Sequence, residues 1–353
     1  MSKNSLLPSA TLLDAVSAIE ATEKRLAVVV SVDNGVLGTL TDGDIRRHIL
    51  KGGALQASVS EAMNVSPVTA SINTSDSALR KILAQHNIRS LPLVDENSKY
   101  VRTLHEMELD SEDKPALNKQ VFSAAVIMAG GEGTRLMPLT ENLPKPMIEI
   151  HGLPLLERQI RRLRNMGIIL VYISVNYLSD VIRNYFGNGA KFGVEIRYLQ
   201  ESEKLGTAGA LSLLPNIDDL KSVLVMNGDI LTTSDFINLL HFHEDQQSEI
   251  TISAVDYQIE IPYGVIKYDG TKVKGIEEKP SQQFFCNAGI YALSNKVLSK
   301  IPEDKFFNMT DLIERCLIDG DIVSVFPVHE YWSDIGTSTD LERTREEFKA
   351  YKI

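Results

Sequence analysis

Cysteine is nearly absent from this chain: Cys286 and Cys316 are the only two in 353 residues. They form no metal-binding or redox spacing, so a disulfide framework is excluded and a reducing compartment, the cytoplasm, is expected. No apolar stretch approaches the roughly 20 residues that a membrane-spanning helix needs. The opening residues, Met1-Ser2-Lys3-Asn4-Ser5, lead into Thr11-Leu12-Leu13-Asp14 without the apolar core of a secretion signal. A membrane partner is therefore not expected. Cations are the minority charge, 36 Lys and Arg against 47 Asp and Glu, for a net charge of -11. That balance argues against nucleic acid as the main partner. It still permits an enzyme for anionic substrates whose cations are gathered in the site. Hydrophobic content of 43% is that of a soluble globular protein, and the length fits two domains or three better than one core.

What is present is concentrated in one stretch. Ala124-Ala125-Val126-Ile127-Met128 is an apolar run that reads as a buried strand. It delivers the chain into Ala129-Gly130-Gly131-Glu132-Gly133-Thr134-Arg135-Leu136, and Leu143-Pro144-Lys145-Pro146-Met147 comes soon after. Glycines at 130, 131 and 133 let backbone N–H groups approach an anion closely. Arg135 can hold phosphate oxygens bidentately, and Lys145 adds a point charge whose direction the flanking prolines limit. A Walker A loop would need Lys-Ser/Thr after the last glycine, where Thr134-Arg135 stands. The dinucleotide fingerprint would need a glycine where Leu136 stands. The stretch reads as a polyphosphate site.

Between Gly130 and Pro146 every fixed position of G-G-x-G-T-R-L-x-P-L-T-x-x-x-P-K-P is met, and the chain resembles the sugar-1-phosphate nucleotidyltransferases. Later segments extend the resemblance to about Val121–Asp340. Val223–Asp229 is a buried strand ending in a carboxylate, and Trp332-Ser333-Asp334 supplies a second one. By the resemblance Asp229 and Asp334 hold magnesium, a hard cation that takes one or two carboxylates plus phosphate oxygens. The nucleotide would lie on Ala129, Gly130, Gly131, Gly133 and Thr134, with its base near Glu201, Gly206, Thr207 and Gly209. The sugar would meet Gly264, Glu278, Lys279, Asn287 and Gly289. Arg135, Lys145, Asp229 and Lys279 are implied as catalytic. Arg135 would stabilise the leaving pyrophosphate, Lys145 would place the triphosphate, and Lys279 would hold the sugar phosphate.

The first 110 residues contain an internal repeat of helix, strand, turn and strand. In the first copy a helix opens at a Thr11/Asp14 capping box, with Leu12, Ala15, Val16 and Ile19 as its apolar stripe. A strand over Leu26–Val32, a turn at Asp33-Asn34-Gly35 and a strand over Val36–Leu40 come next. The second copy begins near Thr74, with strands at Leu91–Val94 and Tyr100–Leu104. The unit resembles a CBS pair, a module that often binds an adenosine nucleotide. Thr41 and Asp44 match the family's ligand contacts, although their i, i+3 spacing equally suits a capping box on a helix over Asp42–Leu50. In the second copy His105 and Glu108 replace them, so at most one nucleotide per pair is expected.

The expected architecture is an α/β, Rossmann-like transferase domain over 119–353 with a mostly parallel mixed sheet. A tandem CBS module over 1–118 precedes it, with copies at about 1–57 and 58–112 and a charged linker near Pro115. Within the transferase, Leu155, Leu156, Ile160 and Leu163 stripe a helix stopped at Gly167. Arg158, Arg161, Arg162 and Arg164 read as its solvated face. Ser179 is expected to cap the next helix, and a helix from Leu205 should continue to Leu214. After Ile335 only a short charged helix is expected, with no acetyltransferase fusion.

The implied reaction joins an NTP and a sugar 1-phosphate to give an NDP-sugar and pyrophosphate. Among CBS-fused members the resemblance is to guanylyltransferases of bacterial nonulosonic-acid (legionaminic acid) pathways, which implies GTP and glucosamine 1-phosphate. Mannose- or heptose-1-phosphate guanylyl transfer and glucose-1-phosphate thymidylyl or uridylyl transfer stay open. A nucleotide-sensing regulator with an inactive transferase domain is the alternative from another class. A homodimer, or a larger assembly of dimers, is expected through the CBS pairs.

Overall fold

The computed structural model describes residues 4–22, 24–86, 88–109 and 121–350, so the linker expected around Pro115 lies outside them. The chain divides into two compact units, Met1–Asn118 and Lys119–Ile353.

The first unit carries the repeat in its strand pairing. Copy one comprises β1 (Ser5–Leu6), α1 (Leu12–Glu20), β2 (Ala27–Val30), β3 (Val36–Leu40) and α2 (Asp42–Leu50). Copy two comprises β4 (Ala70–Ser71), α3 (Asp76–His86), β5 (Ser90–Val94) and β6 (Tyr100–His105). Each copy folds a three-stranded sheet, β1-β2-β3 and β4-β5-β6, whose first pair is parallel and second antiparallel. Thr11 and Asp14 close the capping box on α1, which buries Leu12, Ala15, Ala18 and Ile19; Ala18 takes the place expected of Val16. Strand β2 ends sooner than the apolar run because the turn begins at Ser31, whose N–H donates to the Gly35 carbonyl at 2.8 Å. A buried polar network ties the copies together. Asn4 Nδ2 donates to Thr103 Oγ1 at 2.8 Å, and the Tyr100 hydroxyl donates to Asn4 Oδ1 at 3.1 Å.

In the second unit the elements run β7 (Ala124–Met128), β8 (Glu149–Ile150), β9 (Leu153–Pro154), α4 (Leu155–Asn165), β10 (Leu170–Val175), α5 (Ser179–Phe186), β11 (Glu195–Gln200) and α6 (Gly206–Gly209). They continue with β12 (Ser222–Asn227), β13 (Ile230–Thr232), α7 (Phe236–Asp245), β14 (Ile250–Glu260), β15 (Val265–Asp269), β16 (Lys272–Glu277) and β17 (Ser281–Ser294). The last are α8 (Asn295–Leu298), α9 (Met309–Ile318), β18 (Val323–Val328), β19 (Trp332–Asp334) and α10 (Ser338–Glu347).

Seven strands form one sheet in the order β11-β10-β7-β12-β17-β14-β18, parallel except where β17 runs against β12 and β14. This is the mostly parallel mixed sheet expected. Strand β7 is central, and its side chains alternate between two cores. Ala125 and Ile127 pack with Leu156 and Ile160 of α4, Ile182 of α5 and Leu239 of α7. Ala124 and Val126 pack with Leu312 and Cys316 of α9. The chain steps outward from β7 to β10 and β11, then returns to place β12 on the other side of β7. Such a reversal opens a crevice at the carboxyl ends of the strands, where open α/β sheets bind ligands.

Three local expectations change. Ser179 does not cap α5; it is the first helical residue, and Leu178 with φ of 49° stands at the cap. The helix after Glu201 stops at Gly209 and tightens to a 3-10 turn over Ala210–Leu213. Glycines at 206 and 209 lower its helix propensity, and both press against the Lys305–Phe307 backbone. The α4 arginines are not simply solvated. Arg162 Nε donates to the Ser234 carbonyl at 3.1 Å, and Arg158 Nε to the Ile150 carbonyl at 3.0 Å.

Beyond the sheet, β14 and β17 run on as a ladder from Asp256/Phe285 to Glu260/Ser281, joined through the β15–β16 hairpin. Side chains on both faces of this arm are exposed.

Candidate active site

The glycine loop leaves the end of β7, at the crevice. Gly130 and Gly131 are followed by Gly133, whose φ of 64° a β-carbon would strain, and by a single 3-10 turn over Thr134–Leu136. Thr140, fully buried, closes the loop by donating its hydroxyl to the Gly133 carbonyl at 2.9 Å. A β-carbon on Gly131 would meet nothing within 4 Å, so that backbone faces open space where a ligand can approach. A β-carbon on Gly130 would come 2.7 Å from Glu201 Oε1. Glu201 is thus the neighbour of the loop, but its carboxylate is already committed. It accepts from the Ser174 hydroxyl and, at 3.0 Å, from the Leu205 N–H.

Lys145 lies half-buried between the buried prolines 144 and 146. Its ammonium pairs with Asp229 and stands 3.8 Å from Asp334 Oδ1. Asp229 follows the end of β12, and Asp334 ends β19, so the two come from distant parts of the chain. A short antiparallel ladder holds them together: Ile230 pairs with Asp334, and the Ile335 N–H donates to the Asp229 carbonyl at 3.1 Å. Burial, and then the charge of Asp229, push the Asp334 carboxyl above its usual pKa; Lys145 and Arg135 act against this. Asp334 Oδ1 is buried without a hydrogen-bond partner among the described residues.

This arrangement fits a hard divalent cation. Two carboxylates converge on one ammonium, and one of their oxygens lacks a hydrogen-bond donor. Among the described residues no cluster of three or more His, Cys, Asp or Glu could hold a metal by itself. A cation at this pair would therefore complete its shell with other oxygens, as magnesium does with phosphates.

The remaining expected residues fall into two groups. Gly289 packs on the segment that carries Asp229, and Asn287 is its hydrogen-bond partner. The Gly289 N–H donates to Asn287 Oδ1 at 2.9 Å, and a β-carbon on Gly289 would sit 2.6 Å from Asn227 Nδ2, two residues before Asp229. Gly264, Glu278 and Lys279 lie on the exposed arm, where a β-carbon on Gly264 would be 2.9 Å from Glu278 Oε2. Gly206, Thr207 and Gly209 meet the 305–309 segment instead: Thr207 Oγ1 accepts the Met309 N–H at 2.9 Å.

In the first unit, Thr41 and Asp44 form the full capping box on α2, with Asp44 Oδ2 accepting from the Thr41 N–H at 2.8 Å and its hydroxyl at 2.7 Å. The second copy repeats the geometry with other residues, since the His105 N–H donates to Glu108 Oε1 at 2.8 Å. Glu108 also pairs with Lys24 at 3.0 Å and Arg102 at 2.8 Å.

Sequence reasoning missed Gln159 and Ser174, and gave Thr140, a fixed position of the glycine-loop pattern, no role. Gln159 Nε2 donates to the Asn227 and Ile230 carbonyls at 3.0 and 2.7 Å, bracketing Asp229. The available signal was a polar residue on an apolar face: Gln159 shares the stripe of Leu155 and Leu163, and Ser174 interrupts an apolar strand.

Comparison with known proteins gives a consistent picture. Residues 124–350 match the model of the nucleotidyl transferase family, and residues 3–51 and 59–110 match the CBS domain. The chain is 31% identical over 226 residues to a mannose-1-phosphate guanylyltransferase of Mycobacterium tuberculosis, covering 62% of each chain. It is 34% identical to the bifunctional protein GlmU of Methanococcus aeolicus, covering 62% of this chain and 52% of that one. The matches thus span roughly half to three fifths of those relatives. HddC from Yersinia pseudotuberculosis, in a crystal structure complexed with GMP-PN, superposes with a TM-score of 0.50 at 28% identity, over 64% of this chain and 99% of that one.

Proposed function

The chain belongs to the nucleotidyl transferase family, with two CBS domains in its first unit, and from that premise we propose that it is a sugar-1-phosphate nucleotidyltransferase. The observation that carries the reading is Lys145 set between Asp229 and Asp334 beside the open face of the glycine loop. In the proposed reaction a phosphate oxygen of the sugar 1-phosphate attacks the α-phosphorus of the NTP. A new P–O bond forms as the α–β bridge breaks, and pyrophosphate leaves. No covalent enzyme intermediate is needed, so the work is positioning and charge neutralisation.

Asp229 and Asp334 would hold magnesium, which when bound supplies positive charge to the reacting phosphates. The N–H groups from Ala129 to Thr134 receive the triphosphate, and Arg135, exposed at the loop's end, faces the departing pyrophosphate. Lys145 also serves the nucleotide, because its ammonium turns from the carboxylates to the phosphates as triphosphate arrives. Lys279, on the arm, holds the nucleophile, and Gly264, Glu278, Asn287 and Gly289 contact the sugar.

The nucleotide proposed is GTP. Support comes from the likeness to a mannose-1-phosphate guanylyltransferase and to HddC, whose crystal structure holds GMP-PN. The sugar proposed is glucosamine 1-phosphate. We further propose a cytoplasmic enzyme, assembled as a homodimer or higher through the CBS pairs, with at most one regulatory nucleotide per pair, on the Thr41 side. No helix among the described residues is long and apolar enough to cross a membrane. The test is pyrophosphate release over a matrix of four NTPs against glucosamine, mannose, heptose and glucose 1-phosphates. GTP with glucosamine 1-phosphate is expected to be fastest. A dominant dTTP or UTP reaction refutes the base, and silence throughout refutes the activity.

A further inference from the structure

Gln159 occupies a position where helix packing asks for an apolar side chain. It lies among the buried residues of α4, with Leu155, Leu156, Ile160 and Leu163, and is only 5% exposed. Its amide is used at one end only. Nε2 donates to the Asn227 carbonyl at 3.0 Å and to the Ile230 carbonyl at 2.7 Å. Oε1 is buried without a hydrogen-bond partner among the described residues. Two carbonyls can be met only by the NH2 end, which carries two donors, so the chemistry of the pocket fixes the orientation of the amide. An unpaired buried oxygen costs stability, and an apolar side chain here would bring none. Core packing therefore does not account for Gln159.

The segment held by its donor end does. Asn227 closes β12 and Ile230 opens β13, so the amide bridges the two ends of the turn at Gly228-Asp229. The turn's other supports are backbone groups. The Gly228 N–H donates to the Met128 carbonyl at 2.8 Å, and the Asp229 carbonyl accepts from the Ile335 N–H at 3.1 Å. The load on the turn is electrostatic. Asp229 shares the Lys145 ammonium with Asp334, and two carboxylates so placed repel each other. A turn free to yield would let the pair widen, whereas a small divalent cation demands ligand oxygens at near-ideal spacing.

We propose that Gln159 is a positioning residue for Asp229: its amide clamps the Gly228-Asp229 turn and keeps that carboxylate within reach of Asp334. The inference rests on the proposed function, in which the two carboxylates hold a divalent cation. Once Lys145 turns to the triphosphate, the clamp preserves a spacing that the ammonium no longer enforces. Groups that hold metal ligands in place typically contribute about 10- to 100-fold in metal affinity.

The experiment compares the full chain with Gln159→Met and Gln159→Leu, which remove the donors and suit a buried helix face. Manganese binding is read by electron paramagnetic resonance, and the magnesium activation constant is measured beside saturating turnover. Manganese affinity should fall about tenfold, and the magnesium constant should rise in step. Turnover at saturating magnesium should stay within about threefold of wild type, because the pair is then occupied. A purely structural role gives the reverse, turnover falling with the folded fraction at an unchanged magnesium constant, and that result overturns the proposal. So does manganese binding at wild-type strength in both variants while Asp229→Asn loses it. Loss of the folded circular dichroism spectrum in both variants would make Gln159 a residue of stability alone and also overturn it. Equal manganese binding in wild type and Asp229→Asn overturns the metal assignment itself, an outcome separate from the others.

Discussion

Asp44 and Asp229 are the same residue type, each in a motif suggestive of ligand binding, and their surroundings differ in one respect. Asp44 is satisfied locally: Oδ2 accepts from the Thr41 backbone and hydroxyl, and Oδ1 pairs with Arg47 one turn on. Everything it needs lies within one turn of its own helix. Asp229 depends on Lys145, a residue from another segment, and shares that ammonium with Asp334. The first arrangement stabilises a helix end. The second sets two carboxylates near each other, which disfavours folding unless a cation offsets their repulsion. A carboxylate whose partners are local reads as structure; one whose partner is a single cation from a distant segment reads as a site.

The sharpest way to break this contrast is Asp229→Asn, which keeps shape and removes charge. Turnover measured by pyrophosphate release with magnesium should fall about a hundredfold or more, comparable to losing a major electrostatic stabiliser. Near wild-type turnover would end the distinction. Next is Glu201→Ala, which strips partners from the buried Ser174 hydroxyl and the Leu205 N–H. It should cost about 1–3 kcal/mol in urea unfolding of the second unit. Thr41→Ala should cost about 0.5–2 kcal/mol, the usual value of an N-cap, and leave basal turnover unchanged. Calorimetric nucleotide binding should weaken in the same variant, and unchanged binding would leave Thr41 only its capping role. The smallest effect belongs to Asp33, whose pKa its hydrogen bond to Lys99 holds down at about 2. Its contribution is present above the unfolded value of 3.8 and fades as pH falls through about 2. The difference in urea midpoint between wild type and Asp33→Asn should therefore be small at pH 5 and shrink toward pH 2.

The glycine loop and the carboxylate after β12 were legible in sequence because local pattern dictates both. An apolar run fixes the strand, and glycine spacing fixes the turn that leaves it. The capping boxes at Thr11 and Thr41 were legible for the same reason. Asp334 was legible only through resemblance, since nothing local to Trp332-Ser333-Asp334 says that it meets Asp229. Arg161 and Arg164 are exposed as expected, but Arg158 and Arg162 misled, because opposition to an apolar stripe predicts solvent only where no further layer covers the helix. Here the Ile150, Thr233 and Ser234 carbonyls lie over them. Gln159 escaped notice because its partners are carbonyls of a strand end more than sixty residues away.

The β13–β19 ladder has a consequence for the order in which the protein becomes competent. The glycine loop, Lys145 and Asp229 emerge from the ribosome well before Asp334, and the strands on which the loop and Asp229 sit can pair without it. A nascent chain thus carries the glycine loop, Lys145 and the first carboxylate, and the second carboxylate arrives only with β19. Closing so distant a contact is slow compared with local structure formation. Under the proposed function, competence is a late event in synthesis, because the carboxylate pair forms only once β19 is available.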